Sequence, residues 1–158
     1  MKHRFVLLAI LWLCHSSMVW AHQVTLSNER GQTLLVLTLL PEWTVLASQE
    51  GLELTSPNSR TRLHCLELRS CKDVEEGKVF LKTLRDTIYQ SYQEVSTEAI
   101  EVAGKPVLRL RATGISRGFE TAQDALIFRT RDGTFCLVML QQDVGYEGKA
   151  LLDLLAIP

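Results

Sequence analysis

Asp124 to Gln142, DALIFRTRDGTFCLVMLQQ, reads as two half-buried strands joined at Asp132-Gly133, the strongest local hairpin signal in the chain. With Asp132 and Gly133 as a two-residue type I′ loop, Arg131 faces Thr134, Thr130 faces Phe135, Phe128 faces Leu137 and Leu126 faces Met139. Leu126, Phe128, Phe135, Leu137 and Met139 then form one apolar face, expected to be core. The other face sets Ala125, Ile127, Arg129 and Arg131 against Thr134, Cys136, Val138 and Leu140. It is apolar far from the turn and charged beside it, so half covered. Such a hairpin is expected at the centre of a sheet. Neither it nor the rest of the chain carries a catalytic signature.

Upstream, Val24–Asn28 and Thr33–Leu40 read as strands around Glu29-Arg30-Gly31-Gln32, and the apolar run Leu34 to Leu37 asks for cover on both faces. Pro41 ends that run, and Trp43 is expected to pack inward. Short extended pieces follow at Thr44–Ala47 and Leu52–Thr55, with a turn at Ser56-Pro57-Asn58-Ser59. Arg60–Leu68 alternates as a strand, with His64, Leu66 and Leu68 on one face and Leu63 and Cys65 on the other. One long helix begins at a capping box, Asp73 with Glu76, and carries a stripe of Phe80, Leu84, Ile88, Tyr92 and Val95. Lys78, Lys82, Arg85, Gln93 and Glu94 are placed mostly on its other side. Ala99–Val102 and Val107–Ala112 are two more strands, turned by Gly104-Lys105-Pro106, and Ile115–Phe119 is loop-like. Tyr146–Leu155 closes the chain as a short helix docking Ala150, Leu151, Leu154 and Leu155. The order implies an α+β fold, a mainly antiparallel β-sheet covered by one long helix and a C-terminal helix.

Several of these segments together resemble the PsbP-like fold family. They are Pro41-Glu42-Trp43 before a strand, the helix from the Asp73 region, Ile100-Glu101-Val102-Ala103-Gly104-Lys105-Pro106-Val107, and the final hairpin closed by a helix. The resemblance spans residues 33 to 158. It implies a small protein of a family that includes exported bacterial proteins, secretion-associated chaperones and a photosystem extrinsic subunit. It transfers no catalytic residue, and it implies a role in binding or stabilising other proteins.

The first residues read as a signal peptide: Lys2, His3 and Arg4, the apolar run Phe5–Cys14, then Val19-Trp20-Ala21, with cleavage after Ala21. The run is too short to span a bilayer, and Leu11-Trp12-Leu13 is too bulky for lipidation at Cys14, so no stable membrane insertion is expected after cleavage. Residues 22–158 are expected to form a single domain in the periplasm. Without Lys2 and Arg4 it holds 15 basic and 18 acidic residues, a net charge of −3, which argues against nucleic acid as a partner. Three cysteines remain. Cys65 with Cys71 is the favoured disulfide, Cys65 with Cys136 is open if their strands are neighbours, and three reduced core thiols are the alternative.

No Gly-x-Ser-x-Gly elbow, Walker-type loop, dinucleotide fingerprint, calcium loop or zinc spacing is present, and no cofactor is expected. A mature amino-terminal His22, with His64 as second imidazole, would be a copper site, and a cysteine nucleophile would need His64 beside Cys136. The surface singled out for recognition is basic: Arg109 and Arg111 on one strand, Arg129 and Arg131 on another, with Arg117 in the loop between the strands. These features point to an exported, non-enzymatic protein that binds another protein of the periplasm or envelope. An immunity protein against a periplasm-delivered toxin is one version. A metal or enzymatic protein using His22, His64 or Cys136, and a carrier of a small ligand, are the competing classes.

Overall fold

The computed structural model describes residues 22–28, 30–39, 42–47, 51–145 and 150–158. The expected signal peptide, residues 1–21, lies outside them, as do 146–149 and the side chain of His22. Seven strands form the main sheet in the order β3-β4-β5-β9-β8-β7-β6, every neighbouring pair antiparallel. They are β3 (Thr44–Ala47), β4 (Gly51–Thr55), β5 (Thr61–Leu68), β6 (Ser91–Val102), β7 (Lys105–Ser116), β8 (Phe119–Arg129) and β9 (Phe135–Asp143). The hairpin β8–β9 is central, with seven consecutive buried residues from Phe135 to Gln141 on β9.

One face of this sheet is covered by helix α1 (Val74–Ile88). Leu68, Leu81, Leu110, Ala125, Ile127, Phe135, Leu137 and Met139 make the core between them. Asp73 caps the helix by accepting from the Glu76 backbone N–H at 2.9 Å, and the Glu76 carboxylate accepts from Lys72 N–H at 2.8 Å. Gly77 lets the helix close on the sheet, since a Cβ there would lie 3.1 Å from Ile127 Cγ2. The opposite face is covered by a second sheet. It has order β1-β2-β10, from β1 (His22–Ser27), β2 (Thr33–Leu39) and β10 (Leu155–Ala156). Leu34, Leu35, Leu37 and Leu39 of β2 pack there with Leu54, Leu63, Cys65, Leu126, Phe128, Cys136 and Val138.

The hairpin register differs from the expected one by one residue. Arg129 faces Phe135, Phe128 faces Cys136, Ile127 faces Leu137 and Leu126 faces Val138. The loop is three residues, Arg131-Asp132-Gly133: Thr130 N–H donates to Thr134 O at 2.8 Å, Gly133 N–H to Thr130 O at 3.1 Å, and Gly133 has φ 93°. That is a type I turn followed by a glycine bulge rather than a type I′ loop. The side chains favour it, because Asp132 accepts from the Thr130 hydroxyl and from Thr134 N–H. The extra residue puts Leu126 and Phe128 on the face of Cys136 and Val138, and Ala125 and Ile127 on the face of Phe135, Leu137 and Met139. Both faces are core.

Helix α1 stops at Ile88, so Tyr92 and Val95 belong to strand β6 rather than to its stripe. Its buried line is Gly77, Leu81 and Arg85, whereas Phe80 is 38% exposed. Within the described part of the expected terminal helix lies α2 (Leu151–Leu154), after which Leu155 and Ala156 leave the helix and pair with Leu37 and Val36. Between β6 and β7 the turn is Ala103-Gly104, with φ 52° and 76°. Pro106 is tolerated inside β7 because β8 pairs only from Val107 onward, leaving its nitrogen without a ladder to serve on that side.

Candidate functional site: a groove at the end of the sheet

At the end of the main sheet opposite the Asp132 loop, two turns and the last residues of β9 enclose a groove of about 600 Å³. The β4–β5 turn forms one wall. Asn58 Oδ1 accepts from the Ser56 hydroxyl at 2.7 Å and from Arg60 N–H at 3.1 Å, and Ser56 Oγ accepts from Thr61 N–H at 3.0 Å. The opposite wall is the β7–β8 turn, where Arg117 and Gly118 have φ 55° and 81° and Ser116 faces Phe119. Two successive positive φ values describe the type I′ geometry that suits the right-handed twist of long paired strands. Asp143 N–H donates to Arg60 O at 3.1 Å and Val144 N–H to Glu120 O at 2.9 Å, so the end of β9 ties both walls together.

Three guanidiniums line this groove: Arg60 at its lip, Arg62 on β5 and Arg117 on the facing turn. Among the described residues none of the three makes an ion pair, although Glu120 and Asp143 line the same groove. Apolar surface borders the charges, with Phe119 65% and Val144 51% exposed. His64 shares a face of β5 with Arg62. Burial pulls its imidazole below the usual value, Glu53 across the ladder opposes that, and Arg62 and Arg117 add to it.

Behind the groove lies a buried polar cluster. Gln141, which lines the groove, belongs to the same sheet face as Gln123 and Met139. Arg85, 1% exposed, donates through Nε to Gln123 Oε1 at 2.5 Å and through Nη1 to Glu94 Oε1 at 3.0 Å, with its guanidinium 5.7 Å from the centre of the Tyr92 ring. Burial lowers its proton affinity and Glu94 restores part of it. Gly114 makes the cluster compact, since a Cβ there would lie 2.5 Å from Ser91 O and 2.7 Å from Tyr89 Cδ1.

The four arginines would form one basic face only if their strands set them on the same side, and they are separated. Arg109 and Arg111 share the face of Val107 and are already engaged. Arg109 holds Asp124 through two bonds of 2.9 and 2.6 Å, and Arg111 holds Glu98 at 2.5 Å and Ser96 at 3.0 Å. Arg129 is on the other face, because Arg109 pairs with Leu126, three residues away along β8. Its Nε donates to Gly133 O at 3.0 Å, its guanidinium lies 5.8 Å from the Phe135 ring centre, and Arg131 is in the loop.

All three described cysteines are free. A Cys65–Cys71 bridge has no geometry available, since Cys65 packs between the two sheets and Cys71 packs on the helix side. Strands β5 and β9 are neighbours, but Cys65 faces Val138, leaving Cys136 on the diagonal. Burial pushes the Cys136 thiol up to about 12 and that of Cys65 higher still. His64 faces Met139 from the helix side while Cys136 faces the second sheet, so they form no nucleophile–base couple. Among the described residues no cluster of three His, Cys, Asp or Glu could hold a metal ion, and no helix is long and apolar enough to cross a membrane.

No sequence motif marks Arg60, Arg62 and Phe119 as one site. What local signal there is lies in Arg60-Thr61-Arg62, two arginines on one side of a strand beginning at a turn, and in Arg117-Gly118, a two-residue turn dipeptide between strands.

No protein-family profile matches the chain, and no curated protein matches it in sequence. Solved structures do match. The solution structure of cyanobacterial PsbP (CyanoP) from Synechocystis superposes with a TM-score of 0.60 at 13% identity, over 82% of this chain and 84% of that one. The Ran-binding protein Mog1p of Saccharomyces cerevisiae superposes with a TM-score of 0.50 at 8% identity, over 78% of each chain. The fold is PsbP-like, and at these identities the likeness is one of fold.

Proposed function

We propose that this PsbP-like chain is an exported, non-enzymatic protein that acts by binding another protein of the periplasm or envelope, with the end groove as its contact surface. The observation that carries this reading is the joint exposure of Phe119 and Val144 beside three arginines without ion pairs among the described residues. Aromatic residues and arginine dominate the energetic centres of protein interfaces, where a planar donor and a rigid apolar surface are desolvated together. Export rests on the charged start, apolar run and Ala21 cleavage site of residues 1–21. The non-enzymatic reading is supported by the separation of His64 from Cys136 on opposite sheet faces.

Native co-purification from an envelope extract tests the reading. Phe119→Ser should lose a partner that wild type retains, while Leu46→Ser, at an equally exposed apolar position on β3, should keep it. Equal recovery by both variants refutes the groove as the contact surface.

A further inference from the structure

The position of the three arginines carries more than a general preference for a protein. Arg60 and Arg62 are two residues apart on the groove wall, about 7 Å at extended spacing, which is also the interval between same-side side chains of an extended peptide. Arg117 stands on the opposite wall, so a chain lying between the turns has cations on both flanks. We infer that the groove takes an extended acidic segment of its partner, two carboxylates on alternate residues meeting Arg60 and Arg62 and an apolar side chain resting on Phe119. This deepens the protein-binding reading and rests on it.

Charge complementarity selects this occupant over others. Arginine presents two parallel donors to a carboxylate, and here no carboxylate among the described residues occupies them. Glu120 and Asp143 in the same groove repel a uniformly anionic polymer and favour a ligand whose charges alternate with neutral residues. A volume of about 600 Å³ exceeds the needs of a lone inorganic anion and suits several side chains. The walls are held by backbone bonds from Asp143 to Arg60 and from Val144 to Glu120, so the groove exists before the segment arrives and little ordering is required.

The test titrates isotope-labelled protein with a synthetic peptide containing Asp-Gly-Asp-Gly-Phe and with its Asn-Gly-Asn-Gly-Phe counterpart, following backbone amide resonances. The aspartate peptide should shift Arg62, Arg117 and Phe119, more weakly as salt rises, and Arg62→Gln or Arg117→Gln should each weaken binding about tenfold. Arg109→Gln, whose partner is Asp124, should leave binding unchanged. Equal shifts from both peptides, or none from either, overturn the inference. A partner that co-purifies through Phe119 but is indifferent to loss of Arg60, Arg62 and Arg117 overturns the acidic segment alone and leaves the protein-binding reading standing.

Discussion

Arg109 grips Asp124 across adjacent strands with two parallel bonds, Nε to Oδ1 at 2.9 Å and Nη2 to Oδ2 at 2.6 Å, both side chains about four-fifths buried. The Asp124 hydrogen bond, ahead of any loss from burial, raises the proton affinity of Arg109. This arginine is therefore structural. Arg109→Ala should cost about 1 to 3 kcal/mol in urea unfolding, the range for a charge-assisted bidentate contact whose loss leaves a mostly buried carboxylate behind. Partner recovery should be unchanged when the variant is assayed below its unfolding midpoint.

Acid should loosen the hairpin loop through one carboxylate. Asp132 accepts from Thr130, Thr134 and, at 2.7 Å, from Asn28 Nδ2 at the end of β1, and these bonds hold its pKa at about 2 against an ordinary 3.8. A depressed folded-state pKa means its contribution is complete above pH 3.8 and is lost as pH falls toward 2. Unfolding midpoints of wild type and Asp132→Asn should thus converge across that window and differ above it. Direct titration of the Asp132 carboxyl resonance gives the value itself.

Arg85 is the costliest polar side chain to remove. Arg85→Ala leaves a cavity under α1 and strands Gln123, a loss of about 3 kcal/mol by the usual scale of core truncation. Glu94→Gln should cost under about 1 kcal/mol, because Glu94 is 57% exposed. Gly114→Ala should rival Arg85→Ala, since its Cβ would overlap Ser91 O and Tyr89. Chemical denaturation of the three variants ranks them.

Thiol chemistry distinguishes the cysteines. Cys71, partly exposed on the helix side, should react with a thiol reagent in the native state, while Cys65 and Cys136, at 0% exposure, should react only on unfolding. Mass spectrometry of alkylated, non-reduced protein should find all three modified after denaturation. A mass lower by one bridge contradicts the placement of Cys65 and Cys71 on opposite faces.

Pattern in the sequence carried the α+β class, the central hairpin, the capped helix and the split of β5 into two faces, because each depends on local chemistry or a period of two. The hairpin register was lost by one residue: Asp-Gly suits a two-residue loop, but Thr130 and Asp132 bond side chain to side chain and stabilise a three-residue one. The charge of Arg85 assigns it to the solvent side of the helix, whereas its partners are Gln123, from a distant strand, and Glu94, from the strand that follows the helix, neither of which a helical period reveals. The same limit split the arginines of the expected basic face, since whether Arg109 and Arg129 share a side depends on how β7 pairs with β8. The groove is assembled from two turns and a strand end that meet only in the folded sheet.

Site-specific photocrosslinking in living cells tests the central claim most directly. A crosslinker at Phe119, 65% exposed in the groove rim, is compared with one at Leu46, 60% exposed on the β3 edge. The groove account predicts a discrete adduct with one envelope protein from position 119, absent from position 46 and lost when Arg62 and Arg117 are both changed to Gln. The same adducts from both positions, or none from 119, would contradict it.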